Sequence, residues 1–155
     1  MKCSKGHRLS CNYYPACPEP ELTLGTTKHS DPGFLTILLQ NQISGIQVLY
    51  RDQWVNIEPT PGALVINIGD LLQLVTNGKF VSNKHRAMAN CSGPRISVAC
   101  FLSGPVGEDK IYGPIKELIS DENPARYREV ILTEYLRKFL NTALDETLGL
   151  DYYKL

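Results

Sequence analysis

His29 and Asp31 stand two apart in TTKHSDPGF, directly ahead of a Pro-Gly. On an extended chain, side chains two apart point to one face with about 7 Å between them along the backbone, so both can reach a single ion. Asp, Pro and Gly are also turn formers for separate backbone reasons, and the spacing alone is a weak sign of metal binding. A third ligand has to come from elsewhere. The chain has only three histidines; His7 lies beside Lys5 and Arg8 and is expected to face solvent, whereas His85 lies in NKHRAM, an extended segment far along the chain. Two imidazoles and one carboxylate leave three positions open on a six-coordinate cation, where small molecules can bind and react.

A second pair lies in RISVACFL. Strand alternation puts Arg95, Ser97, Ala99 and Phe101 on one face and Ile96, Val98, Cys100 and Leu102 on the other. An arginine on the inner face of a closed sheet is costly unless an anion meets it. Arg95 can grip a carboxylate with two parallel hydrogen bonds while the Ser97 hydroxyl donates a third, which suits a dicarboxylate. At a strand start an arginine by itself more often faces water, and Arg8-Leu9-Ser10 repeats the spacing. Arg95 differs in following His85 by ten residues across the turn CSGP, as the next strand would. In CNYYP, Asn12 and Tyr14 share a face, so that an amide and a phenol could enter the same cavity; a hydrogen-bonded strand end before Pro15 would also explain them.

These residues need a scaffold of strands. HRLSCNYY (7–14), FLTILLQ (34–40), GIQVLY (45–50), QWVNI (53–57), ALVINI (63–68), LLQLVT (71–76), NKHRAM (83–88) and RISVACFL (95–102) read as strands, separated by clusters rich in Pro, Gly, Asn or Asp. Many short strands with no helix between them imply a sandwich, jelly roll or barrel. After Pro105 the period changes. TEYLRKFLNTALDETLG (133–149) carries Tyr135, Leu136, Phe139, Leu140, Ala143 and Leu144 on one stripe, which predicts a helix with Thr133 as N-cap.

Composition narrows the class. With 155 residues, 43% hydrophobic and 21% charged, the chain fits one globular core. No uninterrupted apolar run approaches the ~18 residues of a membrane span, and no signal-peptide core stands near the start; a cytoplasmic address is the expectation. Sixteen basic residues balance sixteen acidic ones, which indicates neither a nucleic-acid nor an anionic-lipid partner. The five cysteines are odd in number and form no CxxC, arguing against a disulfide framework or structural zinc.

Taken together, N-x-Y-P (12–15), H-x-D (29–31), His85 within KHR, and R-x-S (95–97) resemble the plant Fe(II)- and 2-oxoglutarate-dependent dioxygenases. The flanking text, among it GTTKHSDPGFLTILLQ, GDLLQLVTNGKFVSNKHR and YGPIKELISDENPARYRE, is similar to the 1-aminocyclopropane-1-carboxylate oxidase homologues, close to the deacetoxyvindoline 4-hydroxylase type. The resemblance implies a mainly β fold, a double-stranded β-helix or jelly-roll barrel, with a core at 5–105 and a C-terminal helical extension at 106–155. It implies Fe(II) on His29, Asp31 and His85, with 2-oxoglutarate on Arg95 and Ser97 and contacted by Tyr14 and Asn12. Phe101 would line the substrate pocket. The implied reaction is hydroxylation or a related C–H oxidation of a small plant secondary metabolite by O2, giving succinate and CO2, with ascorbate as a candidate reductant. Family members are about twice as long, so an N-terminal region is expected to be absent and a sheet face left open. The chain should be monomeric unless a partner covers that face. Two alternatives stand beside this reading: a truncated, non-catalytic metal-binding remnant, and an ascorbate-dependent ethylene-forming oxidase.

Overall fold

Alternation of inward and outward side chains organises the first hundred residues into two facing sheets. A computed structural model describes residues 5–105, 107, 109–141 and 149–155. Its strands are β1 (His7–Tyr14), β2 (Leu24–His29), β3 (Leu35–Gln40), β4 (Ile46–Tyr50), β5 (Gln53–Asn56), β6 (Val65–Ile68), β7 (His85–Met88), β8 (Arg95–Leu102), β9 (Ile111–Tyr112) and β10 (Val130–Ile131), with helices α1 (Asp70–Val75) and α2 (Leu132–Asn141). One four-stranded sheet has the order β1-β8-β3-β6, the other β2-β7-β4-β5, and β9 pairs with β10. The pairings within these sheets are antiparallel. This is the expected mainly β, double-stranded β-helix architecture.

On β8, Arg95, Ser97 and Ala99 are buried, whereas Ile96 is exposed. The inner stripe reads on across the register. Tyr14 pairs with Arg95 and Asn12 with Ser97 on one side, and Gln40 pairs with Ser97 on the other. Leu38, Ile46 and Ala99, with Ile57, Val65 and Phe101 against them, form a small apolar floor between the sheets. A larger cluster joins Phe34 and the α1 residues Leu71, Leu74 and Val75 to Tyr112, Tyr127, Val130, Leu132, Tyr135 and Leu150 from the last third of the chain.

Three expectations change. LLQLVT is helix α1, not a strand: Leu71, Leu74 and Val75 are buried at helical spacing, and Asn77 (φ 52°) with Gly78 (φ 83°) ends it in the left-handed region. LGTTKH forms β2, which the strand pattern passed over. Gly25 there lies against the Tyr14 ring, where a Cβ would come within 2.7 Å. Thr133 is no N-cap, because α2 already begins at Leu132; its Oγ1 donates instead to Asp109 Oδ1 at 2.6 Å. The remainder of the expected 133–149 helix, positions 142–148, lies outside the described residues.

Candidate metal centre

His29 is the last residue of β2 and pairs directly with His85, the first of β7. Directly paired side chains share a face, and register shifts interrupt the pairing between Leu24 and Thr26 and between Thr26 and His29, irregularities of a kind common beside functional sites. The ring centroids are 4.3 Å apart. Past the strand end the chain turns through Asp31-Pro32-Gly33, and this turn is pinned from below. Phe34 is buried in the core, and its N–H donates to Leu102 O at 2.8 Å.

Asp31 Oδ1 then lies 3.9 Å from His29 Nε2 and 3.7 Å from His85 Nε2, and the three ligand atoms all fall within 4.8 Å of one another. These gaps are too long for direct hydrogen bonds. They are slightly wider than the ~3 Å between neighbouring ligands of a cation bound at about 2.1 Å. His29 Nδ1 lies 2.7 Å from Thr27 O, and His85 Nδ1 3.2 Å from Asn83 O. A carbonyl only accepts, so each Nδ1 carries its proton and each Nε2 keeps a lone pair for the centre. Burial lowers the pKa of His85, which favours the neutral, ligating form. Asp31 Oδ2 is buried without a hydrogen-bond partner. A carboxylate with Oδ1 facing two imidazole Nε2 atoms and Oδ2 orphaned fits a divalent cation.

Arg95 is 1% exposed. Its Nη2 donates to Gln40 Oε1 at 2.9 Å, its guanidinium lies over the Tyr14 ring at 5.3 Å, and its buried Nε has no partner. Burial pulls its pKa down, but an arginine stays charged in this range. The ion pairs among the described residues give it no carboxylate. Ser97 is buried beside it and takes a long 3.5 Å contact from Asn12 Nδ2, while the Tyr14 and Thr26 hydroxyls are 3.1 Å apart. A buried cation, an idle donor and nearby hydroxyls suit a carboxylate.

Asn12, Tyr14, His29, Asp31, His85, Arg95, Ser97 and Phe101 line one cavity of about 150 Å³. The fold thus gathers into one cavity the residues that the spacings and the family resemblance together named. Three share a second, wider cavity of about 870 Å³ (His29, Asp31 and Phe101), walled also by Leu24, Leu136 and Phe139. His7 is exposed, as expected. The repeated Arg8-x-Ser10 spacing is not idle: Ser10 lines the smaller cavity, and the Arg8 guanidinium stands 4.9 Å over Phe101 in the wider one. Gln40 was missed, although the alternation of FLTILLQ already put it on one face with Thr36 and Leu38.

The chain matches the 2OG-Fe(II) oxygenase superfamily over residues 5–104. It belongs to that family. The cofactor pair in the family's description is the one that the two halves of the smaller cavity suit. Among curated relatives, 1-aminocyclopropane-1-carboxylate oxidase homolog 7 of Arabidopsis thaliana is 53% identical over 156 aligned residues, covering 100% of this chain and 45% of the relative. A homolog from Solanum lycopersicum is 50% identical, covering 94% and 40%. The chain therefore spans less than half the length of these relatives. Among solved structures, JOX2 in complex with 2OG, Fe, and JA superposes with a TM-score of 0.85 at 36% identity, over 96% of this chain and 44% of that one. The rice dioxygenase for auxin oxidation gives 0.86 at 31%, over 97% and 52%.

Proposed function

We propose that this 2OG-Fe(II) oxygenase chain is the catalytic part of a dioxygenase that oxidises a C–H bond, most simply by hydroxylation, in a small plant secondary metabolite. Residues 5–105 form its core, and the described residues of 106–155 an extension packed on it. The observation that carries the reading is the single cavity holding both a two-histidine, one-carboxylate group and a buried arginine without a carboxylate.

His29, Asp31 and His85 would hold Fe(II) at the mouth of this cavity. Arg95 takes the distal carboxylate of 2-oxoglutarate through its free Nε edge, and Ser97 donates a further hydrogen bond. Tyr14 and Asn12, on the paired strand, close the side wall and align the keto acid. Bound there, Fe(II) would supply the redox chemistry by which O2 and 2-oxoglutarate oxidise the substrate, with succinate and CO2 as co-products. The apolar floor of Leu38, Ile46 and Ala99 limits water beneath the site, and Phe101 separates the co-substrate end from the wider cavity where the substrate body lies.

The test is an anaerobic titration of Fe(II) and then 2-oxoglutarate into the chain, following the weak visible charge-transfer band of the chelate. His85→Ala abolishes the band. Arg95→Leu weakens 2-oxoglutarate by about tenfold or more, as removal of a charged hydrogen-bond partner does, while leaving Fe(II) binding in place. No band in the parent chain overturns the reading. A band without succinate formation when candidate substrates are supplied favours the non-catalytic remnant, and turnover with ascorbate but without 2-oxoglutarate favours the ethylene-forming alternative.

A further inference from the structure

Behind the metal group, outside either cavity, a buried carboxylate collects hydrogen bonds from two directions. Asp70, the first residue of α1, is 2% exposed. Its Oδ2 accepts from Ser30 Oγ at 3.1 Å and from Tyr135 OH at 2.6 Å. Ser30 Oγ in turn accepts from Lys84 Nζ at 3.1 Å. Ser30 stands between the two ligands His29 and Asp31, and Lys84 immediately precedes the third, His85.

The backbone repeats the connection. Asp70 N–H donates to Asp31 O at 2.8 Å and Leu71 N–H to Gly33 O at 3.0 Å, and a Cβ at Gly69 would stand 2.2 Å from Gly33 O. The start of α1 thus lies in direct contact with the ligand-bearing turn. Burial pushes the Tyr135 phenol pKa far up, so Tyr135 is a fixed donor at working pH. Burial also raises the Asp70 pKa, against the hydrogen bonds and the Lys84 charge that lower it. A buried carboxylate used only for packing would be costly compared with an apolar residue of its size. This one orders the two segments that carry all three ligands.

We propose that Asp70 is a positioning residue of the metal centre: held by Tyr135 from α2, its carboxylate fixes Ser30 and, through Ser30, Lys84, and so sets the spacing of His29, Asp31 and His85 before any cation arrives. The donors run in one direction, from Lys84 ammonium to Ser30 hydroxyl to Asp70, with Tyr135 closing the other side. Each bond polarises the next. Through Tyr135, α2 acts on a site it does not line with that residue.

This inference rests on the metal-site reading, and the experiment separates the two. Co(II) is titrated anaerobically into the metal-free chain and into Ser30→Ala, Ser30→Thr, Tyr135→Phe and Asp70→Asn, recording the dissociation constant, the Co(II) absorption bands and the melting temperature. Loss of such outer partners elsewhere costs tenfold to a hundredfold in metal affinity; about tenfold is expected for Ser30→Ala and Asp70→Asn, and less for Tyr135→Phe. Ser30→Thr keeps the hydroxyl and should restore parental affinity. Ser30→Ala and Tyr135→Phe each delete one polar atom and keep the fold testable should Asp70→Asn fail to fold. Lower melting temperatures with unchanged Co(II) affinity and bands would make the network merely structural and overturn the proposal. If the parent chain binds no Co(II), the metal reading itself fails, and the positioning role with it.

Discussion

Asp31 concentrates the conflict between stability and function in one residue. Its carboxylate is 3% exposed, its Oδ2 has no partner, and its Oδ1 stands too far from either histidine for a hydrogen bond. Without a cation the fold therefore carries the cost of a buried carboxylate met only by the two imidazoles at 3.7 and 3.9 Å. Asp31→Asn is expected to abolish metal binding and yet to melt at or above the parent's temperature in chelator, a gain of about 1 kcal/mol; a clear fall in metal-free melting would show that the carboxylate has a packing role instead. Seven of the eight cavity residues were legible because each sits on a strand or at its end, where a period of two converts sequence spacing into a shared face; Asp31 lies in the turn just past β2, where its nearness to His29 in sequence was the signal. Asp70 was not legible. It stands in GDLLQLV between apolar residues, and nothing in that spacing reports contacts with Ser30, 40 positions earlier, or Tyr135, 65 later.

The same limit applies to whole elements. LLQLV is too short for periodicity to separate a buried strand from one and a half turns of helix. The deciding information was tertiary: α1 lies under the metal loop, with Leu71 and Leu74 fully buried. β2 was hidden by its glycine and by turn residues on both sides, although two adjacent threonines were a fair strand signal. The β4–β5 hairpin, by contrast, was legible at both strands. Its two-residue turn places Arg51 (φ 48°) and Asp52 (φ 61°) in the left-handed region, the type I′ geometry that Asn-Gly adopts with less strain. Replacing Arg51-Asp52 by Asn-Gly should raise stability by about 1 kcal/mol in thermal or denaturant unfolding and leave metal affinity unchanged; no gain would mean that Arg51, which lies over the Tyr50 ring at 5.1 Å, contributes as much as the strain costs.

At the scale of the molecule, the sheet β1-β8-β3-β6 turns its polar, cavity-lining stripe inward and an apolar face outward. Its outer face exposes Leu9, Tyr13, Leu39, Ile66 and Ile96, each about half accessible or more. The sequence carried the hint, because Ile96, Val98, Cys100 and Leu102 make the outward side of β8 more apolar than the side that holds Arg95 and Ser97, which is how a strand covered on both faces reads. An apolar patch of this kind favours self-association. Leu39→Lys with Ile66→Lys should reduce concentration-dependent association in sedimentation while leaving Co(II) and 2-oxoglutarate binding intact; loss of binding would show that the outer face supports the site through the sheet. No helix among the described residues is long and apolar enough to cross a membrane. The direct pairing of His29 with His85 also has a mechanical meaning. An ion shared by two facing strands is a removable cross-link that closes the loop between positions 29 and 85, and by the entropy of closing a loop of that length a permanent link would be worth on the order of 4 kcal/mol. A backbone nick in the exposed turn at Gly62 would leave two fragments held by the strand pairings that cross it, with the ion as an added rivet that chelation would draw out.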